Sequence, residues 1–163
     1  MSKKVAYYGI FASLAILMGY IEGIFPMPFP IPGIKLGLSN VIVLMALYIM
    51  DEKTAFGVSI IRVFVSALLF RGFLGLWYSL AGAMLSFIVM VIAKRTNKLS
   101  TVGVSVLGGI FHNVGQIVIA CIILGRTAVV YLLPILMVSG IITGFVIGVL
   151  VGRCNLYFSK SHN

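Results

Sequence analysis

The feature that most constrains this chain is a series of apolar runs long enough to cross a bilayer. Charges, proline clusters and turn residues break the series, leaving runs at residues 5–25, 34–50, 55–70, 74–93, 101–124 and 128–152. A spanning helix rises ~1.5 Å per residue, so about 20 apolar residues cover a hydrocarbon layer of about 30 Å. Six such runs occupy most of the 163 residues. An all-α integral membrane protein is therefore expected, with six transmembrane helices forming one domain over residues 1–163. Composition excludes the alternatives, with 61% apolar residues, 9% charged residues and a mean hydropathy of +1.20. Soluble domains carry roughly 25% charged residues, and disordered chains are far less apolar. The first run is too long for a cleavable signal and no A-x-A site follows it.

Orientation follows from where the cations fall. Twelve basic residues stand against three acids, Glu22, Asp51 and Glu52. In a soluble protein that balance suggests nucleic acid, but here the cations punctuate apolar runs and form no single patch, so no nucleic-acid partner is expected. With the N-terminus inside, Lys3, Lys4, Lys53, Lys94, Arg95, Lys98, Arg153 and Lys160 collect on the cytoplasmic face. Only Lys35, Arg71 and Arg126 lie outside. This bias predicts a multi-pass cell-membrane protein with both termini cytoplasmic. Cys121 and Cys154 have no metal or redox spacing and read as packing residues.

Lipid offers no hydrogen bonds, so polar side chains within spans must face protein or a water-filled cavity. The fifth run is the richest. Ser105, Gly109, His112 and Gln116 share one helical stripe, bordered by Asn113, while Leu107, Phe111, Val114 and Val118 occupy other faces. At ~1.5 Å per residue, His112 stands about 16 Å and Gln116 about 22 Å above the inner end. Asn40 lies about 9 Å below the outer end of the second run, and Arg62 about 10 Å above the inner end of the third. These residues either line a ligand cavity or serve as polar glue between helices. Arg62 is the costliest, and it reads as a ligand anchor, a gate or a snorkelling side chain. No partner is spaced to make His112 a metal ligand.

Two further patterns bear on function. Lys35 follows the stiff loop Pro26-Met-Pro-Phe-Pro-Ile-Pro-Gly33, and together with Arg71 and Arg126 it places cations at the outer mouth. Such a mouth suits an amphiphilic or aromatic ligand bearing a carboxylate or phosphate, and suits lipid headgroups equally. Glu22 is expected to pair with Arg71 or Lys35. Small residues recur every four positions at Ala15, Gly19 and Gly23 and at Gly140, Gly144, Gly148 and Gly152, with Gly75, Ser79, Gly82 and Ser86 along one stripe of the fourth run. Such spacing packs helices within the bundle or docks another membrane subunit. No phosphate-cradling G-x-x-x-x-G-K-[ST] element occurs, and three acids outside the span interiors cannot hold Mg²⁺ on a diphosphate. An autonomous enzyme is therefore not expected, and no cofactor is required.

Gly33-Ile-Lys-Leu-Gly-Leu-Ser-Asn40, Ser79-Leu-Ala-Gly82 with Leu85-Ser86, and Ser105-Val-Leu-Gly-Gly-Ile-Phe-His-Asn-Val-Gly-Gln116 resemble the Gx transporter family, also labelled heptaprenyl diphosphate synthase component I. The resemblance covers nearly the whole chain, and H-N-x-G-Q is its most specific element. Ser39 and Arg71 depart from the family pattern. The resemblance implies the six-helix fold of the substrate-binding S components of energy-coupling factor (ECF) vitamin transporters. It also implies capture of a flavin, a quinone or isoprenoid precursor, or a vitamin from the outer side. The ligand set would be Lys35, Asn40, Arg62, Arg71, His112, Asn113 and Gln116. Ala15, Gly19 and Gly23 would dock a membrane coupling subunit driven by ATPases. Two alternatives also follow: a membrane component of flavin- or quinone-dependent extracellular electron transfer, with flavin or quinone bound, and an accessory component of heptaprenyl diphosphate synthesis.

Overall fold

The computed structural model describes residues 2–24 and 37–160, with residues 2–4, 23, 71 and 158–160 described by backbone alone. The described residues form an all-helical bundle of α1 (Ser2–Ile24), α2 (Leu38–Ile49), α3 (Glu52–Ser66), α4 (Gly72–Arg95), α5 (Thr101–Leu124) and α6 (Leu133–Lys160). Five helical segments are long and apolar enough to cross a membrane, and α2 is a shorter apolar helix. The chain is thus a multi-pass membrane protein by length and composition. The proline-rich loop and Lys35 lie outside the described residues.

The helix ends have local causes. Asp51 caps α3 by accepting the Thr54 N–H at 2.7 Å, and Ser100 caps α5 through the Gly103 N–H at 3.2 Å. Side-chain oxygens of this kind satisfy donors that the first helical turn leaves open. A π-helical turn at Ala67–Arg71 extends α3, and Gly72 (φ +65°) then reverses the chain into α4. The final apolar run, expected from residue 128, instead begins as a 3-10 turn at Thr127–Leu132 before α6 starts.

The second run differs most from expectation. Of the apolar run at residues 34–50, residues 34–36 lie outside the described residues, and the described part is helical over Leu38–Ile49, 12 residues or about 18 Å. Its start is set by Gly37, whose left-handed φ of +70° favours glycine. The N-terminus of α2 is therefore held inside the bundle, among α1, α3 and α6.

Glycine sets the closest packing. A Cβ at Gly140 would lie 2.8 Å from the Gly109 carbonyl oxygen, and one at Gly148 would lie 2.5 Å from Val102 Cα, so α5 and α6 meet backbone to backbone. On the other side of α5, a Cβ at Gly115 would meet the Ala81 carbonyl at 2.7 Å, and one at Gly82 the His112 carbonyl at 2.8 Å. Ser86 Oγ donates to the Gly108 carbonyl at 2.8 Å across the same seam. Small residues do this work because helices in lipid associate through close packing and hydrogen bonds.

The end of the bundle formed by the C-termini of α2 and α4 and the N-termini of α3 and α5 is tied by charge. Arg95 makes two hydrogen bonds to Glu52, at 2.9 and 2.5 Å. Lys94 Nζ donates to the Leu47 carbonyl at 2.5 Å and stands 5.1 Å from the centre of the Tyr48 ring. Beneath this end sits the dry core, where Leu44, Leu47, Val43, Val58, Val104 and Val151 are fully buried.

Candidate functional site

Beyond the dry core the interior becomes polar. A cavity of about 50 Å³ opens there, and each of the six helices contributes to its wall. Asn40 and Ser39 come from the first turn of α2, just after Gly37. Arg62, Val63 and Ser66 come from α3, one stripe of a helix whose outer faces carry Phe64 and Leu68. The α5 wall is Gly109, His112, Asn113 and Gln116. Ser79 of α4, Thr143 of α6 and Glu22 of α1 complete it.

Charge is concentrated at one place. Arg62 is only 7% exposed and donates to Ser39 Oγ. Its guanidinium thus sits beside the first turn of α2, where the helix dipole already contributes roughly half a positive charge. Two like partial charges in a low-dielectric interior are unfavourable unless something negative is near. Glu22 supplies one such charge, because its Oε1 accepts the Gly37 N–H at 2.6 Å at the start of the same helix. Lys35 and the side chain of Arg71, the partners expected for Glu22, lie outside the described residues. The Glu22–Gly37 contact holds α1 against the α2 N-terminus.

The neutral groups are partly committed to holding the frame. Asn113 Nδ2 donates to the Leu136 carbonyl at 2.6 Å, joining α5 to α6. Thr143 Oγ1 donates back to the Ser139 carbonyl at 2.9 Å, which leaves its lone pairs to face the cavity as acceptors. The cavity has room for roughly three to five waters at about 10–15 Å³ each.

Five of the residues singled out from the sequence, Asn40, Arg62, His112, Asn113 and Gln116, meet around this one cavity. Lys35 lies outside the described residues. Arg71 ends the π-helical turn, and its side chain is not described. Ser105, on the predicted stripe, is drawn into the α5–α6 seam, where it faces Gly144 and Gly148. Ser39, Ser66, Ser79, Thr143 and Glu22 were not among the expected ligand residues. A serine or threonine in an apolar helix carries the same pattern whether it packs or lines a cavity, so periodicity alone could not separate them.

The small residues of α1 require a correction. Ala15 is fully buried and Gly19 is buried against Ser66 Oγ and Ser39 Cβ. They let α1 close onto α2 and α3, so neither is available to a coupling subunit; the side of Gly23 is not described. The outward face of α1 is instead Ile10, Leu14, Leu17 and Tyr20.

Fold and site together define a multi-pass helical membrane protein with a polar cavity among its helices. The family model for heptaprenyl diphosphate synthase component I matches residues 11–154. The chain belongs to that family. Neither curated proteins nor solved structures yield a significant match to the chain.

Proposed function

We propose that this chain is a six-span membrane subunit, with both termini cytoplasmic, that captures a small amphiphilic or aromatic anionic ligand from the outer side. On this reading it resembles an ECF S component and delivers its ligand with a partner ATPase module. One observation carries the proposal: six helices converge polar side chains and a buried arginine on a single cavity, at an energetic cost that packing alone does not require. The short apolar helix α2 counts as the sixth span beside the five longer segments, and the positive-inside bias supports the orientation. Arg62 anchors the anionic group. Asn40, His112 and Gln116 fix its orientation, and the apolar remainder of the ligand extends beyond the small cavity. The chain does no bond chemistry of its own.

Native mass spectrometry of protein extracted in a mild detergent tests this directly. A small molecule should remain bound to the wild-type chain and be lost from Arg62→Met. Co-purification of ATPase subunits would add the transport arm. An empty cavity in both proteins, with no gain of affinity for any anionic amphiphile, would contradict the proposal.

The family description favours a second reading, an accessory role in heptaprenyl diphosphate synthesis. In that case a soluble prenyl synthase subunit gains activity when this chain is added in lipid, and Arg62→Met removes the gain.

A further inference from the structure

We infer that the bundle is two three-helix units, α1–α3 and α4–α6, that rock on the Glu52–Arg95 end while the α3–α4 turn flexes, so that the cavity between them opens where α2 meets α6. The inference concerns how the cavity is reached and holds whatever the cavity binds. Each unit is locked internally. In the first, Glu22 of α1 accepts the Gly37 N–H at the start of α2, and Arg62 of α3 donates to Ser39 of α2. The Tyr8 hydroxyl of α1 fills the space that a side chain on Gly57 of α3 would need. In the second, Gly109 meets Gly140 and Gly115 meets Ala81 backbone to backbone, while Asn113 donates to the Leu136 carbonyl. Helices pressed together in this way transmit force and do not deform continuously, so each unit moves as one body.

The boundary between the units changes character along its length. At the charged end Arg95 of α4 holds Glu52 of α3, Lys94 of α4 donates to the Leu47 carbonyl of α2, and the rings of Phe56 and Phe87 stand 5.4 Å apart. Val58 and Leu47 of one unit share a dry core there with Val104 and Val151 of the other. At the cavity end the units enclose space: Ser39, Arg62 and Ser66 from the first and Ser79, Gln116 and Thr143 from the second line it. Where α2 begins, Ile147 of α6 is its neighbour, with Cδ1 3.1 Å from the place of a Cβ on Gly37. Such a methyl contact is non-directional, so it parts and re-forms without breaking a hydrogen bond. The chain passes from one unit to the other once, through Ala67–Arg71 and Gly72. This passage has the features of a hinge. Its π-helical turn departs from regular α-helical bonding, and such turns recur at functional sites. Gly72 (φ +65°, ψ −175°) lies in a region essentially closed to other residues, and a Cβ there would meet nothing within 4 Å, so its torsions can change without collision. Leu68, Leu69 and Phe73 around it are largely exposed, which leaves the turn lightly packed.

The test measures distances between paired spin labels in the full chain, in phosphatidylcholine nanodiscs, with Cys121→Ala and Cys154→Ala as background. All labelled positions are exposed, so the packing is retained. Leu17→Cys with Val138→Cys spans the units at the cavity end, and Tyr7→Cys with Leu156→Cys spans them at the charged end. Val118→Cys with Val138→Cys lies within the second unit. A rocking of about 15° over about 20 Å of helix moves the cavity end by about 5 Å. The Leu17–Val138 distribution should therefore be broader than the other two by about that amount, and Gly72→Ala should shift it while leaving the other two unchanged. Three equally narrow distributions, a Tyr7–Leu156 or Val118–Val138 distribution as broad as that of Leu17–Val138, or a Leu17–Val138 distribution unmoved by Gly72→Ala overturns the inference. Each of these results leaves the ligand-binding reading to its own test.

Discussion

The half of the bundle around Arg62 and the half around Leu47 are made from the same helices and follow opposite rules. In the lower half α2 presents Val43, Leu44 and Leu47 to Val58, Val104 and Val151, and the packing is dry. One or two turns earlier, the same helix presents Ser39 and Asn40 to a polar cavity. Along α3 the change runs from Val58 to Arg62 and Ser66, and α5 passes from Val104 to His112 and Gln116. A helix in this protein is therefore not structural or functional as a unit. Each divides along its length, with stability held in one half and recognition in the other.

That division can be broken experimentally, and the largest effect should come where the two halves share a seam. Gly140→Leu forces a side chain onto the Gly109 backbone, and neither partner can yield. The expectation is a loss of several kcal/mol and little folded protein in a detergent melting assay. Leu47→Ala empties a fully buried site in the dry half and should cost about 2–5 kcal/mol without changing ligand selectivity. Arg62→Met should separate the two readouts: it leaves Glu22 without the cation that balances it and so lowers the melting temperature, and unlike Leu47→Ala it also abolishes ligand retention. Retention unchanged in Arg62→Met would make Arg62 a structural residue and erase the contrast. The smallest change is expected for Glu52→Gln, which removes an exposed ion pair with Arg95 that salt also weakens. Its melting shift should be below that of every other variant and should vanish at high ionic strength.

Much of the lower half was readable from residue order. Long apolar runs and four-residue glycine spacing are strong periodic signals, and α5 has the predicted bounds of 101–124. The start of α2 was not readable, because Leu36 and Leu38 flank Gly37 alike and a single glycine does not end an apolar run. Only the backbone conformation at that glycine shows where the helix begins. The upper half was legible where the residue was expensive. Arg62, His112 and Gln116 stand out in any apolar run. Ser66, Ser79 and Thr143 do not, since a hydroxyl can bond its own helix and be invisible as a site. The α1 stripe was ambiguous for a related reason: four-residue spacing identifies a close contact but not whether the neighbour belongs to the same chain.

The most direct measurement compares single cysteines placed in the two halves, in a chain carrying Cys121→Ala and Cys154→Ala. In right-side-out vesicles, Ser79→Cys at the cavity should react with a membrane-impermeant thiol reagent, and Val58→Cys in the dry half should not. Equal reactivity at both positions, or labelling of Ser79→Cys only from the opposite face, would contradict a polar cavity that opens outward above a closed core.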